Sequence, residues 1–251
     1  MQRYFAKEKI DDKLVLSDSD YHHIKSVMRN KPGDIIEVIY QNIVNICSII
    51  TITPLELKVI SKNNENNELP INLTVAVSLV NEQKFDLILQ KLTELGVSTI
   101  IPIKTTRSIV KIDDNKIIKK ISRWQTICKE ASEQSKRTVI PKVKNIITLK
   151  ELLNENIDLK LICSLNETAK PINEYLDKKC RKILFAIGPE GGFTKEEEKQ
   201  LLENGFYAAS LGKRVMRVET AAIYVASIIN YIYEGWYYEV NYWFLSKFRH
   251  D

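Results

Sequence analysis

Lys182-Ile183-Leu184-Phe185-Ala186-Ile187-Gly188-Pro189-Glu190-Gly191-Gly192-Phe193-Thr194-Lys195-Glu196-Glu197 runs from an apolar stretch through three glycines into a polar segment. The stretch 182–187 is too short for a typical helix and does not alternate with polar residues, so it predicts a strand buried on both faces. Thr194 and Glu197 stand at the spacing of a capping box, and Glu196 and Glu198 favour the positive end of a helix dipole, so a helix starts at Thr194. Strand, glycine turn and capped helix together make the repeating unit of an open α/β sheet, whose ligands bind beyond the carboxyl ends of the strands. Glycines in such a turn let a ligand approach the main chain, and the free N–H groups offer donors. The segment lacks the Gly-Lys-Ser/Thr of a phosphate-binding P-loop, and glycines at 188, 191 and 192 do not make a GxGxxG motif. Taken alone, it reads equally well as an ordinary strand-to-helix turn.

Working outward, Ser210-Leu211-Gly212-Lys213-Arg214-Val215-Met216-Arg217-Val218-Glu219-Thr220-Ala221 repeats the arrangement. A short strand at 208–211 meets a glycine-bearing loop, and a helix rich in Ala and Ile follows over 220–233. Arg217 and Glu219 precede that helix, where a surface ion pair and a helix cap are the plain alternative to a functional role. Two such loops on neighbouring strands would face one crevice. Further strands are expected at 73–79, 98–103 and 159–163, and helices at 85–95, ending at Gly96, and 123–134. Strands separated by helices imply a mainly parallel sheet.

The first 62 or so residues differ. Leu14–Leu16, Ile35–Ile39, Ile43–Thr53 and the alternating Leu55, Leu57 and Val59 read as short strands around one helix over 19–29, which suggests a small barrel. Ser61–Pro70 is polar, Asn-rich and closed by a proline, so we place a domain boundary there, with domains 1–68 and 69–251.

With 44% hydrophobic and 27% charged residues, the 251-residue chain can bury ordinary globular cores, and it is neither disordered nor fibrous. The net charge of +5 permits a nucleic-acid partner without requiring one. Cys47, Cys128, Cys163 and Cys180 form no CxxC pair and fit no zinc module, and we read them as reduced thiols of a cytoplasmic protein. No apolar signal core opens the chain, and no run of about 18 apolar residues crosses a membrane. His22 and His23 would point about 100° apart on a helix, so a shared metal is not expected. The aromatic tail 235–251 is expected to pack on the domain or on a partner subunit.

The two glycine loops, read in order as Gly188-Pro189-Glu190-Gly191-Gly192 and Leu211-Gly212-Lys213-Arg214-Val215-Met216-Arg217-Val218-Glu219-Thr220-Ala221, resemble the paired signatures of the RsmE family. These are SPOUT-class methyltransferases that modify N3 of a uridine in bacterial 16S ribosomal RNA. Gln90–Val97, Arg107-Ser108, Arg123-Trp124 with Glu130–Arg137, and Ile140-Pro141 resemble its intervening segments. Arg3-Tyr4-Phe5 and the run from His23 to Asp34 resemble its PUA-like domain. Asn81-Glu82-Gln83-Lys84 departs from the Lys-Gly turn usual there.

The resemblance implies an α/β fold, with an N-terminal PUA-like β-barrel and a C-terminal SPOUT α/β domain carrying a trefoil knot. It implies a homodimer with no metal, a 16S rRNA or small-subunit partner, and S-adenosylmethionine as the methyl donor. By the match, the cofactor meets Ile187, Gly188, Glu190, Gly191 and Gly192 from one loop. From the other it meets Leu211, Gly212, Met216, Arg217 and Thr220. Removing the N3 proton of uracil calls for a base or a cation that stabilises the anion. Arg217 is the candidate cation, with a phosphate or carboxylate clamp as its alternative. Glu190 and Glu219 are candidate bases, with cap or ion-pair roles as theirs. Arg3, Tyr4, Arg29, Arg123 and Arg137 are expected on RNA, Tyr4 by stacking, and Glu133 and Arg137 could line the substrate side. The competing readings are a SPOUT ribose 2′-O-methyltransferase and a non-catalytic RNA-binding or ribosome-assembly module.

Overall fold

The computed structural model describes residues 1–110, 112–177 and 179–247, with the backbone alone for Asp114 and residues 235–247. The chain packs as two compact units. Unit 1 holds Met1–Glu68 and Lys129–Ile140, and unit 2 holds Leu69–Cys128 and Pro141–Asp251.

Unit 1 contains β1 (Arg3–Phe5), β2 (Glu8–Ile10), β3 (Lys13–Val15), a short helix α1 (Asp18–His22) that runs into a π turn (His23–Val27), then β4 (Ile35–Tyr40), β5 (Ile43–Ile52) and β6 (Leu55–Asn63). The sheet order is β1-β4-β5-β6, with β1 parallel to β4 and the other pairs antiparallel, and β2–β3 form a separate hairpin. Two hairpins turn on two residues each, Asp11-Asp12 and Gln41-Asn42, all at positive φ. Such φ pairs match the twist of the flanking strands, and Asp and Asn tolerate them without glycine. Tyr4, Leu14, Ile24, Ile36, Val38, Cys47 and Ile49 close the core. The described strands of this unit form an open sheet and a hairpin.

Unit 2 contains β7 (Asn72–Ser78), α2 (Glu82–Glu94), β8 (Thr99–Lys104), most of α3 (Asp114–Gln134), β9 (Lys142–Val143), β10 (Ile147–Thr148), α4 (Leu149–Leu152), β11 (Leu159–Cys163), β12 (Lys170–Pro171), β13 (Lys182–Ile187), α5 (Lys195–Glu203), β14 (Phe206–Ser210) and α6 (Val218–Lys247). Its eight strands run in the order β10-β8-β7-β13-β11-β14-β12, with β9 beside β8, and every pair is parallel. The parallel sheet expected from strand–helix alternation is therefore present. β7 is buried from Leu73 to Ser78 and β13 from Ile183 to Ile187, as continuous apolar runs demand when helices cover both faces. Ala76, Ile101, Ile103, Ile162, Leu184, Ala186, Leu201 and Phe206 form one core.

The helix boundaries differ most from the sequence reading in α3 and α6. α3 begins at Asp114, nine residues before the expected start, because Ile117 and Ile121 carry the stripe of Trp124, Cys128 and Ala131 back through its first turns at helical spacing. α6 runs through the expected end at Tyr233 as far as Lys247, so the aromatic tail is largely helical, while its side chains lie outside the described residues.

Candidate functional site

Adjacent parallel strands bring three loop starts to one edge of the sheet. β11 pairs with β13 on one side and β14 on the other, so residues 163–165, 187–192 and 211–218 emerge together. They line an open cleft of about 600 Å³, counted to its mouth. Its lining includes Ile187, Gly188, Pro189, Glu190 and Gly192 from the loop after β13, and Leu211, Gly212, Arg214, Val215 and Met216 from the loop after β14. Cys163, Ser164 and Leu165 complete it from β11, and Val218 and Ala221 from α6.

Each glycine has its own reason. A Cβ on Gly188 would stand 2.9 Å from the Phe193 nitrogen, so the loop's own fold excludes a side chain there. Gly192 and Gly212 have φ of +66° and +111°, a region that side chains avoid, and a Cβ on either would meet nothing within 4 Å. Open space beside Gly212 on the cleft wall is a cradle that a ligand can fill and a side chain would enter. The lining is mainly aliphatic with main-chain edges, and that suits a flat aromatic ring held by backbone groups.

Of the residues the sequence assigned to the cofactor, Gly191, Arg217 and Thr220 stand outside this lining. Gly191 packs against Arg107 instead, with a virtual Cβ 3.2 Å from Arg107 Cδ. Arg217 and Thr220 are exposed. The Arg217 carbonyl accepts from the Ala221 N–H at 2.8 Å and fixes the start of α6. Its guanidinium has no ion-pair partner among the described residues.

The two candidate bases are in different settings. Lys84 donates to Glu190 at 2.9 Å and holds that carboxylate below its ordinary pKa, which makes it a weaker proton acceptor. Lys84 comes from the segment where the sequence departs from the family pattern. Asn81 there caps α2 by accepting from the Lys84 N–H at 2.9 Å. Glu219 sits in the first turn of α6 between the cleft residues Val218 and Ala221, and its Oε2 is buried with no hydrogen-bond partner among the described residues. A buried oxygen of this kind is costly unless something supplies a donor.

Sequence reasoning missed Cys163 and Ser164, although the rule about strand ends applied to 159–163 as well. Burial raises the Cys163 thiol to about 11, with nearby Glu198 adding to the shift, so it is a neutral wall residue. Ser164 donates to Glu198 at 2.5 Å.

Three of the residues expected on RNA lie inside unit 1. Arg3, Tyr4 and Arg137 are buried, at 2%, 1% and 3% exposure. Arg3 donates to Glu37 at 2.8 Å, to Glu65, and to the Lys136 carbonyl at 2.5 Å. Arg137 pairs with Glu68, whose other oxygen accepts from the Thr138 and Val139 N–H groups. Tyr4 hydroxyl bonds His23 Nδ1 at 3.0 Å. These are core ties with no face free for a base. Glu133, placed on the substrate side by sequence, is also buried and contacts Lys129 at 2.7 Å. Arg29 is exposed, as is Arg123, which forks onto Asp86 at 2.7 and 2.6 Å. Among the described residues no His, Cys, Asp and Glu cluster suits a metal, and no helix is long and apolar enough to cross a membrane.

A ligand cleft at the carboxyl edge of a parallel sheet, following a small β unit, defines an α/β ligand-binding protein with an accessory β domain. Comparison with known proteins narrows this. Residues 67–230 match the family described as RNA methyltransferase domain, and residues 16–60 match the RNA methyltransferase PUA domain. Ribosomal RNA small subunit methyltransferase E of Bacillus subtilis is 36% identical over 247 residues, covering 92% of this chain and 96% of that protein. The protein of the same name from Mesomycoplasma hyopneumoniae is 33% identical over 90% of this chain and 97% of its own length. The structure of ribosomal RNA small subunit methyltransferase E from Neisseria gonorrhoeae, bound to S-adenosyl methionine, superposes with a TM-score of 0.85 at 32% identity, covering 93% of this chain and 98% of that one. A methyltransferase from Legionella pneumophila in complex with the same cofactor gives 0.85 at 30% identity, covering 91% and 96%. The chain belongs to the RNA methyltransferase family that contains ribosomal RNA small subunit methyltransferase E.

Proposed function

We propose that this protein transfers a methyl group from S-adenosylmethionine to N3 of a uridine in 16S rRNA of the small ribosomal subunit. The observation that carries the reading is the cleft lined by the loops that follow β13 and β14 in a chain of this family. Its residues fit the donor. Leu211, Ile187 and Val218 provide aliphatic walls for the adenine, and the space beside Gly212 admits a group against the backbone. When bound, the cofactor supplies an electrophilic methyl on a sulfonium.

The chain's own residues supply the rest. Arg217, exposed beside the cleft with its backbone fixed by α6, stabilises the negative charge that uracil acquires as its N3 proton leaves. Glu219 accepts the proton in preference to Glu190, because its buried oxygen lacks a donor whereas Lys84 already occupies Glu190. Arg29 faces phosphate, and Arg123, exposed although paired with Asp86, is a second contact. Within this reading unit 1 is a PUA-like barrel, the strand ends around the cleft are threaded as a trefoil knot, and two copies form a homodimer in the cytoplasm.

Isothermal titration with S-adenosylmethionine and mass spectrometry of rRNA nucleosides from a deletion strain test it together. Micromolar cofactor binding and loss of 3-methyluridine are expected. Loss of a 2′-O-methyl nucleoside instead would move the reaction to ribose, and absent binding would leave a non-catalytic RNA-binding module.

A further inference from the structure

Arg107 lies outside the cleft lining, yet it grips the loop that forms one wall of the cleft. Its guanidinium donates to the Gly191 carbonyl at 2.6 Å and the Phe193 carbonyl at 3.3 Å. Its aliphatic stem runs beneath Gly191, where a Cβ would come within 3.2 Å of Cδ and 3.6 Å of Cβ. The next tie lies one residue away. Glu197 Oε1 accepts from the Thr106 N–H at 2.8 Å and the Thr106 hydroxyl at 2.9 Å, while its Oε2 accepts from the Thr194 N–H at 2.8 Å. One buried carboxylate therefore fastens 106 to 194, and one guanidinium fastens 107 to 191 and 193. The loop 105–108 is itself anchored to the end of β7, by Ser108 Oγ donating to the Leu79 carbonyl at 2.8 Å and by Thr105 Oγ1 bonding Ser78 Oγ at 3.2 Å.

We propose that Arg107 is a positioning residue for the methyl donor: it sets the main-chain path of 188–193, and so the shape of the cofactor wall, without touching cofactor or RNA. Both bonds come from Nη1, whose two N–H groups are held in direction by the guanidinium plane, whereas a lysine ammonium on a flexible stem has no such fixed orientation. The absence of a side chain at Gly191 is then a requirement of the Arg107 stem. This inference rests on the cofactor reading above and assigns a role to a residue outside the site.

The test uses the full-length chain with Arg107→Ala, Arg107→Lys, Gly191→Ala and the double variant Arg107→Ala/Gly191→Ala. Cofactor affinity is read by titration calorimetry, folding by circular dichroism, and kcat and KM on an rRNA substrate at saturating cofactor. Losing a charged donor to main-chain carbonyls predicts about a tenfold weaker cofactor Kd in Arg107→Ala, with KM for RNA and kcat within about twofold. Arg107→Lys recovers part of the affinity. Gly191→Ala weakens binding in the wild-type background and adds little in the double variant, because the stem it collides with has gone. A raised RNA KM with unchanged cofactor Kd would make Arg107 an RNA contact and overturn the proposal, as would additive effects in the double variant. If the wild type binds cofactor and Arg107→Ala binds equally well, this inference alone fails. If the wild type does not bind, the underlying reading fails with it.

Discussion

Gly212 shows how one residue carries two constraints. Its φ of +111° strains any residue with a Cβ, and the space beside it is open. Gly212→Ala should cost about 1 kcal/mol of stability through the backbone. It should weaken cofactor binding by more than that loss accounts for, because the methyl enters the cleft. Thermal melts with and without S-adenosylmethionine separate the two effects. A variant that loses stability yet keeps full affinity would remove Gly212 from the site. Lys84 offers a contrasting case. Its pair with Glu190 is part-exposed at both ends, so Lys84→Met should cost no more than about 1 kcal/mol at neutral pH. Glu190 is depressed in the folded state, so its contribution is present above the unfolded carboxylate pKa. It is lost as pH falls through the folded one. Urea midpoints of wild type and Lys84→Met should therefore converge in acid; a gap that persists there would mean that Lys84 acts through something other than charge. Residues of this kind also mark the limit of sequence reading. The apolar run and capping box made the strand and helix around 188–192 legible, and the glycine loops located the cleft. The burial of Arg3, Tyr4 and Arg137 was not legible, because a basic residue beside an aromatic one looks the same on a surface as inside a carboxylate cage.

At the scale of elements, α2 and α3 are joined by an aromatic contact: Phe85 and Trp124 have ring centroids 4.5 Å apart, and both are fully buried. Trp124 was visible in the sequence as one of a helical stripe with Cys128 and Ala131. Its polar edge was not, since its buried Nε1 has no hydrogen-bond partner among the described residues. Burying an unpaired indole N–H costs free energy that Phe does not incur. Trp124→Phe should therefore destabilise by only about 1 kcal/mol, the loss of packing volume being partly offset. Trp124→Ala should cost about 3–5 kcal/mol. Chemical denaturation distinguishes these values, and equal losses in the two variants would mean that the N–H is satisfied in solution, for instance by water. The same view explains why α3 was read as shorter than it is. Trp124 and Cys128 are buried in its later turns, while Ile117 and Ile121 carry the same face only half-buried among the lysines of its first turns, a weaker signal.

For the whole molecule, the informative feature is that unit 1 is discontinuous: Lys129–Ile140 joins Met1–Glu68 across sixty intervening residues of unit 2. The Asn-rich composition of 61–70 marks a change of segment, although β6 runs on to Asn63 and the compact units divide at Glu68, but a returning segment leaves no compositional mark. Long-range ion pairs define it. Arg3 reaches Glu37, Glu65 and the carbonyls of Lys136 and Arg137, and Glu68 holds Arg137, Thr138 and Val139. With Arg3 2% exposed, the ions it pairs are largely withdrawn from water, and removing one partner leaves the others uncompensated. Arg3→Met should cost unit 1 about 3–5 kcal/mol even though Met fills much of the volume. Hydrogen exchange followed by mass spectrometry gives the readout, because units open with their own free energies. Protection should fall together in β1, β4 and residues 135–140, while β7, β11 and β13 keep theirs. With the proposed cofactor cleft lined by unit 2 alone, cofactor affinity should stay within about twofold of wild type. Loss of protection spread evenly over both units would show that they unfold as one, and loss confined to residues 1–5 would show that the returning segment is held by something other than Arg3.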